Sequence, residues 1–195
     1  MVRSDDINTL PESLPVPTDD GACDHLDGMV LPTLELRATS GRIVDLSKIK
    51  GRTVVYIYPR TGRPDEDSPA GWSEIPGASG CTPQSCSFRD HKSELDRLET
   101  NVFGLSTQDS TYQLEAVERL NLSFELLSDQ NLTLAKALNL PTFSADGLAL
   151  LKRVTLILKD GKIEKAFYPV FPPDKNVEDV ISWLRDNLAR SQEST

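Results

Sequence analysis

Two cysteines five positions apart are the side chains of this sequence best suited to covalent chemistry. Cys81 and Cys86 lie in the stretch GASGCTPQSCSFRDH, over residues 77–91, and the whole chain of 195 residues contains three cysteines. A close cysteine pair can be a structural disulfide, half of a zinc site, or a reactive pair that cycles between thiols and disulfide. Most of what the sequence indicates about function depends on which of these it is.

The composition indicates the compartment in which the protein works, and the compartment bears on what the cysteine pair does. The net charge of -9 argues against nucleic acid as a partner and, more weakly, against anionic membranes. No stretch has the roughly 18 consecutive apolar residues of a membrane span, and the first 21 residues lack the apolar region of a secretory signal. We therefore expect a cytoplasmic protein in a reducing compartment, where a close cysteine pair is more often catalytic or metal-binding than structural.

Three other interpretations of the pair stay open. A zinc site needs two more soft ligands, for which Cys23 and His25 or His91 are candidates, but there is no second pair of closely spaced cysteines. A permanent disulfide across five residues would restrain little chain. The third interpretation is that both cysteines are unreactive thiols that only pack. The stretch before the pair is rich in Gly and Pro, which is an unusual place for packing thiols. A reactive pair is the preferred interpretation.

A helix is predicted to position the first cysteine. The stretch TPQSCSFRDHKSELDRLE, residues 82–99, is helical in pattern, with Thr82 as a candidate N-cap and Pro83 suited to the first helical position. The free backbone N–H groups and the positive end of the helix dipole would then face the sulfur of Cys81 and favour a thiolate.

Helix geometry constrains how the two cysteines can react with each other. In an ideal helix, the Cα atoms of residues i and i+5 are about 8 to 9 Å apart, from the rise and radius of the helix. A disulfide needs Cα atoms within roughly 7 Å. Cys81 and Cys86 therefore cannot bond while the helix is intact. We expect either separated sulfurs on an intact helix, or a disulfide with the first turn unwound.

The rest of the chain predicts one α/β domain, over residues 29–195, preceded by an extended N-terminal arm over residues 1–28. The predicted strands are paired segments within 30–51, then 53–58, 101–107, 124–129 and a hairpin over 152–169. The predicted helices are 82–99, 111–122, 131–140 and 176–191. This alternation predicts a three-layer α/β/α sandwich around a mixed central β-sheet, with the site at the carboxyl ends of strands.

The segment GCTPQSCSFRD, residues 80–90, resembles the active-site segment of the peroxiredoxin family (AhpC/TSA-like). The resemblance is to the peroxiredoxin Q, or bacterioferritin-comigratory protein, subfamily, whose members carry Gly-Cys-Thr, a second Cys five residues after the first, and Phe-Arg-Asp. Tyr58 and Pro59 match the end of the strand before the active site, and KRVTLILKDGKI, residues 152–163, resembles the arginine-bearing strand and its hairpin. This resemblance implies a thioredoxin-like fold.

The resemblance also implies an activity, that of a thiol-dependent peroxidase acting on hydrogen peroxide or organic hydroperoxides. Cys81 is the implied peroxidatic cysteine and Cys86 the implied resolving cysteine, and a thioredoxin- or glutaredoxin-like donor reduces their disulfide. Arg153 matches the arginine that keeps the sulfur ionised and orients the peroxide; a salt bridge at the start of a strand is the alternative. No cofactor or metal is implied, and a monomer or weak homodimer is expected.

Two departures from the family pattern concern the residues before Cys81. The family places a Thr or Ser hydroxyl three residues before the cysteine, where this chain has Ala78, and residues 60–77 are an insertion after Pro59. We expect Thr61 to supply the missing hydroxyl, with Ser79, or neither residue, as the alternatives.

Substrate binding is expected to involve Pro59, Gly80 and Thr82. Two other functions stay open. One is a thiol–disulfide oxidoreductase or redox sensor that has lost peroxide turnover with the hydroxyl at position 78. The other is a binding module with incidental cysteines. Cys23 is expected to be a bystander or a regulatory thiol.

Overall fold

The computed structural model describes residues 9–192 of the chain, with side chains described as far as residue 188. The strands in this range are β1 (Leu36–Ala38), β2 (Ile43–Val44), β3 (Arg52–Ile57), β4 (Thr100–Ser106), β5 (Leu126–Ser128), β6 (Thr142–Ala145), β7 (Leu148–Leu151), β8 (Val154–Lys159) and β9 (Lys162–Phe167). The helices are α1 (Cys81–Asp90), α2 (Lys92–Arg97), α3 (Ser110–Arg119), α4 (Thr133–Ala137) and α5 (Asn176–Gln192).

Seven of these strands form one mixed sheet, in the order β2-β1-β5-β4-β3-β8-β9. The central strands β3, β4 and β5 are parallel, and β1 and β8 pair with them in antiparallel orientation. Parallel strands need crossover connections, and helices α1, α2 and α3 lie in the connections between these three strands. The predicted mixed central sheet is confirmed.

Strand β3 is buried on both faces of the sheet, as its β-branched and aromatic sequence predicts. Val55 and Ile57 face a cluster that includes residues of α4, whereas Val54 and Tyr56 face a cluster that includes residues of α1, α2, α3 and α5. Helices therefore cover the sheet on both sides, and the predicted three-layer α/β/α arrangement is confirmed. Because β3 is packed on both faces, its carboxyl end has a fixed position, from which the next loop and helix begin.

The helix predicted over residues 82–99 differs from the observed structure at its start and in its middle. Helix α1 begins at Cys81, and its N-cap is Gly80, with φ 97° and ψ 17°. Thr82 as the N-cap is therefore wrong: Gly80 adopts a left-handed conformation that disfavours side chains, and it turns the chain into the helix two residues earlier. The helix is also interrupted at His91, after which α2 begins.

The β6–β7 hairpin was not predicted. It spans Thr142–Leu151 as a separate two-stranded sheet, and its turn residues Asp146 and Gly147 both have positive φ values, 50° and 74°. An Asp-Gly pair between two short runs is a strong hairpin signal. The segment after Pro141 is short and weakly alternating, so its hairpin is harder to recognise from the sequence than the one over residues 152–169.

The boundary of the domain lies earlier than residue 29. Cys23 and Leu26 are buried in the same cluster as Val55 and Ile57. In addition, the Gly28 N–H donates to the Ile163 carbonyl at 2.9 Å. The prediction of an extended arm up to residue 28 is therefore wrong for its last residues, which pack against the sheet, and its residues 1–8 lie outside the described residues.

Candidate active site

Cys81 is the first residue of α1, directly beyond the loop that follows the carboxyl end of β3. Its side chain is buried, in one apolar cluster with Tyr58 and Phe88. The Sγ atom lies 3.6 Å from the Ala78 carbonyl oxygen, to which the thiol donates. The first turn of a helix presents unpaired N–H groups and a partial positive charge, so this sulfur stands where negative charge is stabilised.

Arg153, the residue before β8, places its guanidinium against this sulfur. The Arg153 Nη2 atom lies 3.3 Å from the Cys81 Sγ atom, and the arginine is 3% exposed. The same nitrogen donates to the carbonyl oxygens of Gly77, Ala78 and Ser79, at 3.3, 3.3 and 3.0 Å. Within residues 9–192, its acceptors are carbonyls, an amide and the sulfur, and the alternative of a salt bridge at the strand start is not observed there.

A buried polar network that the sequence analysis missed holds this guanidinium. Gln84, which is fully buried on α1, accepts a hydrogen bond from Arg153 Nη1 and donates from Nε2 to the Asn176 Oδ1 atom at 3.1 Å. That oxygen also accepts from the Thr155 hydroxyl at 2.7 Å. Side chains from α1, β8 and α5 therefore hold one another in position. Removing one of them would leave buried polar atoms without hydrogen-bond partners, which would destabilise the protein.

Aromatic side chains of the central sheet pack against α1. The Tyr56 ring stacks on Phe88 with centroids 4.5 Å apart and planes 8° from parallel, and its hydroxyl donates to the Ser85 hydroxyl at 3.1 Å. Gly104 makes room for it: a Cβ atom there would lie 2.7 Å from Tyr56 Cζ. The helix that carries Cys81 is thus held by the sheet beneath it.

Cys86 lies within the continuous α1, half-buried against the same apolar cluster as Cys81. Both cysteines are free thiols. This is the first of the two arrangements expected from helix geometry, separated sulfurs on an intact helix. Burial raises the pKa of the Cys86 thiol above its ordinary value, with Asp90 adding to the shift and Arg89 opposing it.

Thr61 does not approach the sulfur through any described hydrogen bond. Its N–H and hydroxyl donate to the Gln108 Oε1 atom at 2.9 and 3.2 Å, and Gln108 Nε2 donates to the Thr61 carbonyl at 3.0 Å. Thr61 and the preceding Pro59 are both buried at the end of β3. The structure therefore joins Thr61 to the loop after β4, and its role as the replacement hydroxyl remains a prediction without a contact to Cys81.

Ala78, the position of the missing hydroxyl, is a packing position. It is fully buried in a small cluster with Trp72, Ala145 and Leu150. Trp72 comes from the inserted segment 60–77, and its ring lies 6.1 Å from that of Phe143 on β6. The alanine methyl thus helps to fasten the inserted segment onto the β6–β7 hairpin, and this cluster is separate from the one that contains Cys81.

The remaining predicted site residues surround the start of α1. A Cβ atom on Gly80 would lie 2.6 Å from Leu10 Cδ2 and 2.4 Å from Pro173 Cγ, so both residues pack directly against this glycine. Thr82 is buried in the first turn of α1. Ser79 contributes its carbonyl oxygen, through the hydrogen bond from Arg153, and no described hydrogen bond involves its hydroxyl.

The third cysteine belongs to a different part of the molecule. Cys23 lies in the cluster on the opposite face of the sheet from α1, and burial, with the nearby carboxylates of Asp20 and Asp19, raises its pKa to about 12. Among the residues described, no three His, Cys, Asp or Glu side chains converge as ligands for a metal ion. In the same range, no helix combines the length and apolar character required to cross a bilayer.

Comparison of the sequence with known proteins assigns most of it to one family. A model of the Redoxin family matches residues 26–181. The chain is 32% identical over 161 residues to a putative chloroplastic peroxiredoxin Q of Oryza sativa subsp. indica, covering 81% of this chain and 66% of the rice protein, which is just under two thirds of it. It is 29% identical over 164 residues to peroxiredoxin Bcp of Bacillus subtilis, covering 82% of this chain and 94% of the relative.

Solved structures share the fold. Peroxidoxin BcpB from Mycobacterium tuberculosis superposes with a TM-score of 0.68 at 24% identity, covering 83% of this chain and 98% of that one. A cysteine-to-serine mutant of PrxQ from Xylella fastidiosa gives a TM-score of 0.69 at 19% identity, covering 84% and 98%. At these identities the likeness concerns the fold, and it confirms the predicted thioredoxin-like sandwich.

Proposed function

This chain belongs to the Redoxin family, among its peroxiredoxin Q and Bcp relatives, and we propose that it is a thiol-dependent peroxidase whose reacting atom is the Cys81 sulfur. The observation that carries the proposal is the 3.3 Å contact between Arg153 Nη2 and Cys81 Sγ at the N-terminus of α1. A buried positive charge and a helix N-terminus act together on one sulfur there, and both stabilise the negative charge that a nucleophilic sulfur carries.

The first step is the reduction of the peroxide. The Cys81 sulfur attacks the outer oxygen of a hydroperoxide, an S–O bond forms and the O–O bond breaks. The sulfur loses two electrons and becomes a sulfenic acid, and the departing oxygen takes the proton of the thiol and leaves as water or an alcohol. Arg153 Nη2, which already touches the sulfur, is placed to donate a hydrogen bond to the peroxide oxygens in this step.

The second step joins the two cysteines of α1. The Cys86 sulfur attacks the sulfenic acid of Cys81, a disulfide forms and water leaves. Because residues five apart on a helix are too distant to bond, the first turn of α1 must open. A thioredoxin- or glutaredoxin-like dithiol then takes up the disulfide by exchange, so that both cysteines return to thiols while the donor is oxidised.

A thiol count on four proteins tests this proposal. Reduced wild type, Cys81→Ser and Cys86→Ser are mixed with one equivalent of hydrogen peroxide, and free thiols and intact mass are followed over time. Wild type is expected to lose two thiols and two hydrogens of mass, Cys86→Ser to gain oxygen on Cys81, and Cys81→Ser to react only slowly. Cys23→Ser is the matched control and is expected to behave as wild type. Slow and similar oxidation in all four proteins would refute the peroxidase.

A second candidate function rests on Ala78. Because this position supplies a packed methyl and no hydroxyl, the peroxide loses one hydrogen-bond partner that the family pattern has. The alternative is a thiol–disulfide oxidoreductase or redox sensor built on the same two cysteines. Rapid exchange of the Cys81–Cys86 disulfide with a thioredoxin, together with slow oxidation by peroxide, would select it. The cytoplasmic location and the monomer or weak homodimer remain predictions.

A further inference from the structure

A segment near the N-terminus lies against the loop before Cys81. Residues 9–20, here called the N-terminal strap, belong to no strand or helix of the described structure, and they precede the part of the chain that matches the family. Every residue of the strap is exposed or half-buried. The strap is therefore an addition to the fold that few buried contacts hold in place, and such segments detach more readily than the core.

The strap contacts the loop before Cys81 at both of its ends. A Cβ atom on Gly77 would lie 3.7 Å from the Pro17 side chain, and one on Gly80 would lie 2.6 Å from Leu10 Cδ2. The carbonyls within this loop also accept hydrogen bonds from the Arg153 guanidinium. The strap and the arginine thus hold the same short loop.

A polar contact holds the end of the strap that leads into the core. The Asp20 carboxylate accepts hydrogen bonds from Lys152 Nζ and from the Tyr168 hydroxyl, both at 2.8 Å. Its contact with Lys152 is an ion pair whose partners are both partly exposed, and such pairs contribute little to stability. Leu26, six residues further on, is buried in the core. The strap is thus anchored at one end and weakly held along its length.

The strap is also incompletely packed against the rest of the protein. A cavity of about 320 Å³ is lined by Pro17 and Thr18 of the strap and, among others, by residues 75–77 and Arg153. Protein interiors are normally close-packed, with few voids larger than a water molecule. The strap can therefore lift from the loop without disrupting a continuous core.

Opening the first turn of α1 removes one of the contacts of the strap. Gly80 is the N-cap of α1, and its carbonyl accepts the first hydrogen bond of the helix, from the Gln84 N–H at 3.0 Å. The Cys81–Cys86 disulfide requires this turn to unwind. Gly80 then moves from its place against Leu10, so the bound strap and the disulfide oppose each other.

We propose that the N-terminal strap restrains the resolving step. The bound strap stabilises the reduced protein with α1 intact, and its release favours the Cys81–Cys86 disulfide. The strap thereby lengthens the time for which the Cys81 sulfenic acid persists before Cys86 attacks it. The inference rests on the disulfide of the proposed function. Because coupling between two equilibria is reciprocal, formation of the disulfide must in turn release the strap.

The first test is the equilibrium between dithiol and disulfide in mixtures of reduced and oxidised dithiothreitol, without peroxide. Two electrons and two protons pass from Cys81 and Cys86 to the oxidised reagent, and alkylation followed by intact mass counts the protein that has lost them. Leu10→Ala is expected to shift the equilibrium constant towards the disulfide by about fivefold. Asp20→Asn should shift it in the same direction but by less, since an exposed ion pair is weaker.

Two variants serve as controls for this equilibrium. Val16→Ala changes a residue of the strap that is 64% exposed, and it should leave the constant unchanged. Val44→Ala, buried on β2 in the cluster on the other face of the sheet, should lower the free energy of unfolding and also leave the constant unchanged. An equal shift in Val44→Ala and Leu10→Ala would mean that lost stability alone favours the disulfide, and it would overturn the inference.

The second test follows the strap itself. Glu12 is exposed on the strap, and a glutamate-specific protease cuts after it at a rate that reports how often the strap is released. Cleavage after Glu12, identified by mass, is expected to be about fivefold faster in oxidised than in reduced dithiothreitol. Cys86→Ser, which cannot form the disulfide, is the matched control and should be cut at the same rate in both.

An unchanged equilibrium constant in Leu10→Ala, or cleavage after Glu12 that does not depend on the redox state, would overturn the inference. If dithiothreitol closes the disulfide but peroxide does not oxidise Cys81, the peroxidase fails, whereas both tests still decide the role of the strap. If no Cys81–Cys86 disulfide forms in either reagent, the resolving step and the inference fail together.

Discussion

Arg153 contacts Cys81 Sγ through Nη2 at 3.3 Å and donates through Nη1 to Gln84 on the same helix. One guanidinium therefore joins the reacting sulfur, the loop before it and the helix that carries it. Since the arginine is also buried, its charge acts on the sulfur with little screening by water. The positions of the sulfur, the loop before it and the helix that carries it are thus linked.

Replacing the arginine tests its charge and its geometry. Arg153→Gln is expected to lower the rate constant for oxidation of Cys81 by hydrogen peroxide about 10²- to 10³-fold, since it removes the positive charge at the sulfur. Arg153→Lys should fall between this variant and wild type, because one ammonium cannot serve both the sulfur and Gln84. Stopped-flow oxidation measures both, with Arg42→Gln at an exposed ion pair as the control. A folded Arg153→Gln that reacts within twofold of wild type would contradict the role.

Gln84 is predicted to position the arginine without touching the substrate. Gln84→Glu places a carboxylate against the guanidinium and cancels part of the charge that faces the sulfur. Alkylation of Cys81 by iodoacetamide should then require higher pH than in wild type, measured in a Cys86→Ser background. Gln84→Ala should instead destabilise the protein by about 1–3 kcal/mol, because a buried donor of Arg153 loses its partner. An unchanged pH profile in Gln84→Glu would limit Gln84 to a structural role.

Restoring the hydroxyl at position 78 is not expected to speed the reaction. The Ala78 side chain lies among Trp72, Ala145 and Leu150, so a serine hydroxyl there would be buried in an apolar cluster. We expect Ala78→Ser to lower the free energy of unfolding by about 1–3 kcal/mol and to leave peroxide reduction no faster. Urea denaturation and stopped-flow oxidation measure the two effects, with Ala70→Ser on the exposed part of the insertion as the control. A faster reaction in Ala78→Ser would disprove this.

The closing of the disulfide should depend on pH. Burial raises the pKa of Cys86, so the neutral thiol is favoured in the folded state. The stabilisation that this gives is present below the ordinary pKa of a cysteine and is lost as pH rises through the folded value. Because the attacking form is the thiolate, disulfide formation after a single peroxide turnover should accelerate steadily from pH 6 to pH 9. Mass spectrometry of quenched samples follows it. A rate that is flat over this range would mean that opening of α1 limits the step.

Gly80 is predicted to tolerate no side chain. A Cβ atom would meet Pro173 and Leu10 at 2.4 and 2.6 Å, and the glycine has φ 97°. Gly41→Ala is a matched control, since Gly41 has φ 86° and no atom within 4 Å of the added Cβ, so it isolates the backbone strain.

We expect Gly80→Ala to destabilise the protein by at least about 1 kcal/mol more than Gly41→Ala. Adding Leu10→Ala to Gly80→Ala should recover part of the difference, which urea denaturation of wild type and the three variants measures. Equal losses at Gly80 and Gly41 would remove the steric argument.

The parts of the site that the sequence predicted are those encoded by local patterns. The β-branched run of β3 and the helix that follows Cys81 each carry such a signal, whereas Arg153 was identified through the resemblance of residues 152–163 to the family's arginine-bearing strand. The network of Gln84, Thr155 and Asn176 carries no such signal. Its members are far apart in sequence, and each is a polar residue of a type usually found at the surface. Which hydroxyl lies near the sulfur likewise depends on how the inserted segment packs, and Thr61 is turned to Gln108 instead.

The packing of Trp72 has a spectroscopic consequence. The chain has two tryptophans. Trp72 is 9% exposed beside Ala78 in the loop that leads to Cys81, whereas the ring centroid of Trp183, on α5, lies 5.7 Å from the guanidinium of Arg52 at the start of β3. A Trp183→Phe variant therefore leaves a single tryptophan, which senses the active-site loop. Its emission wavelength records whether that loop is seated on the β6–β7 hairpin or released into water, with no label attached to either cysteine.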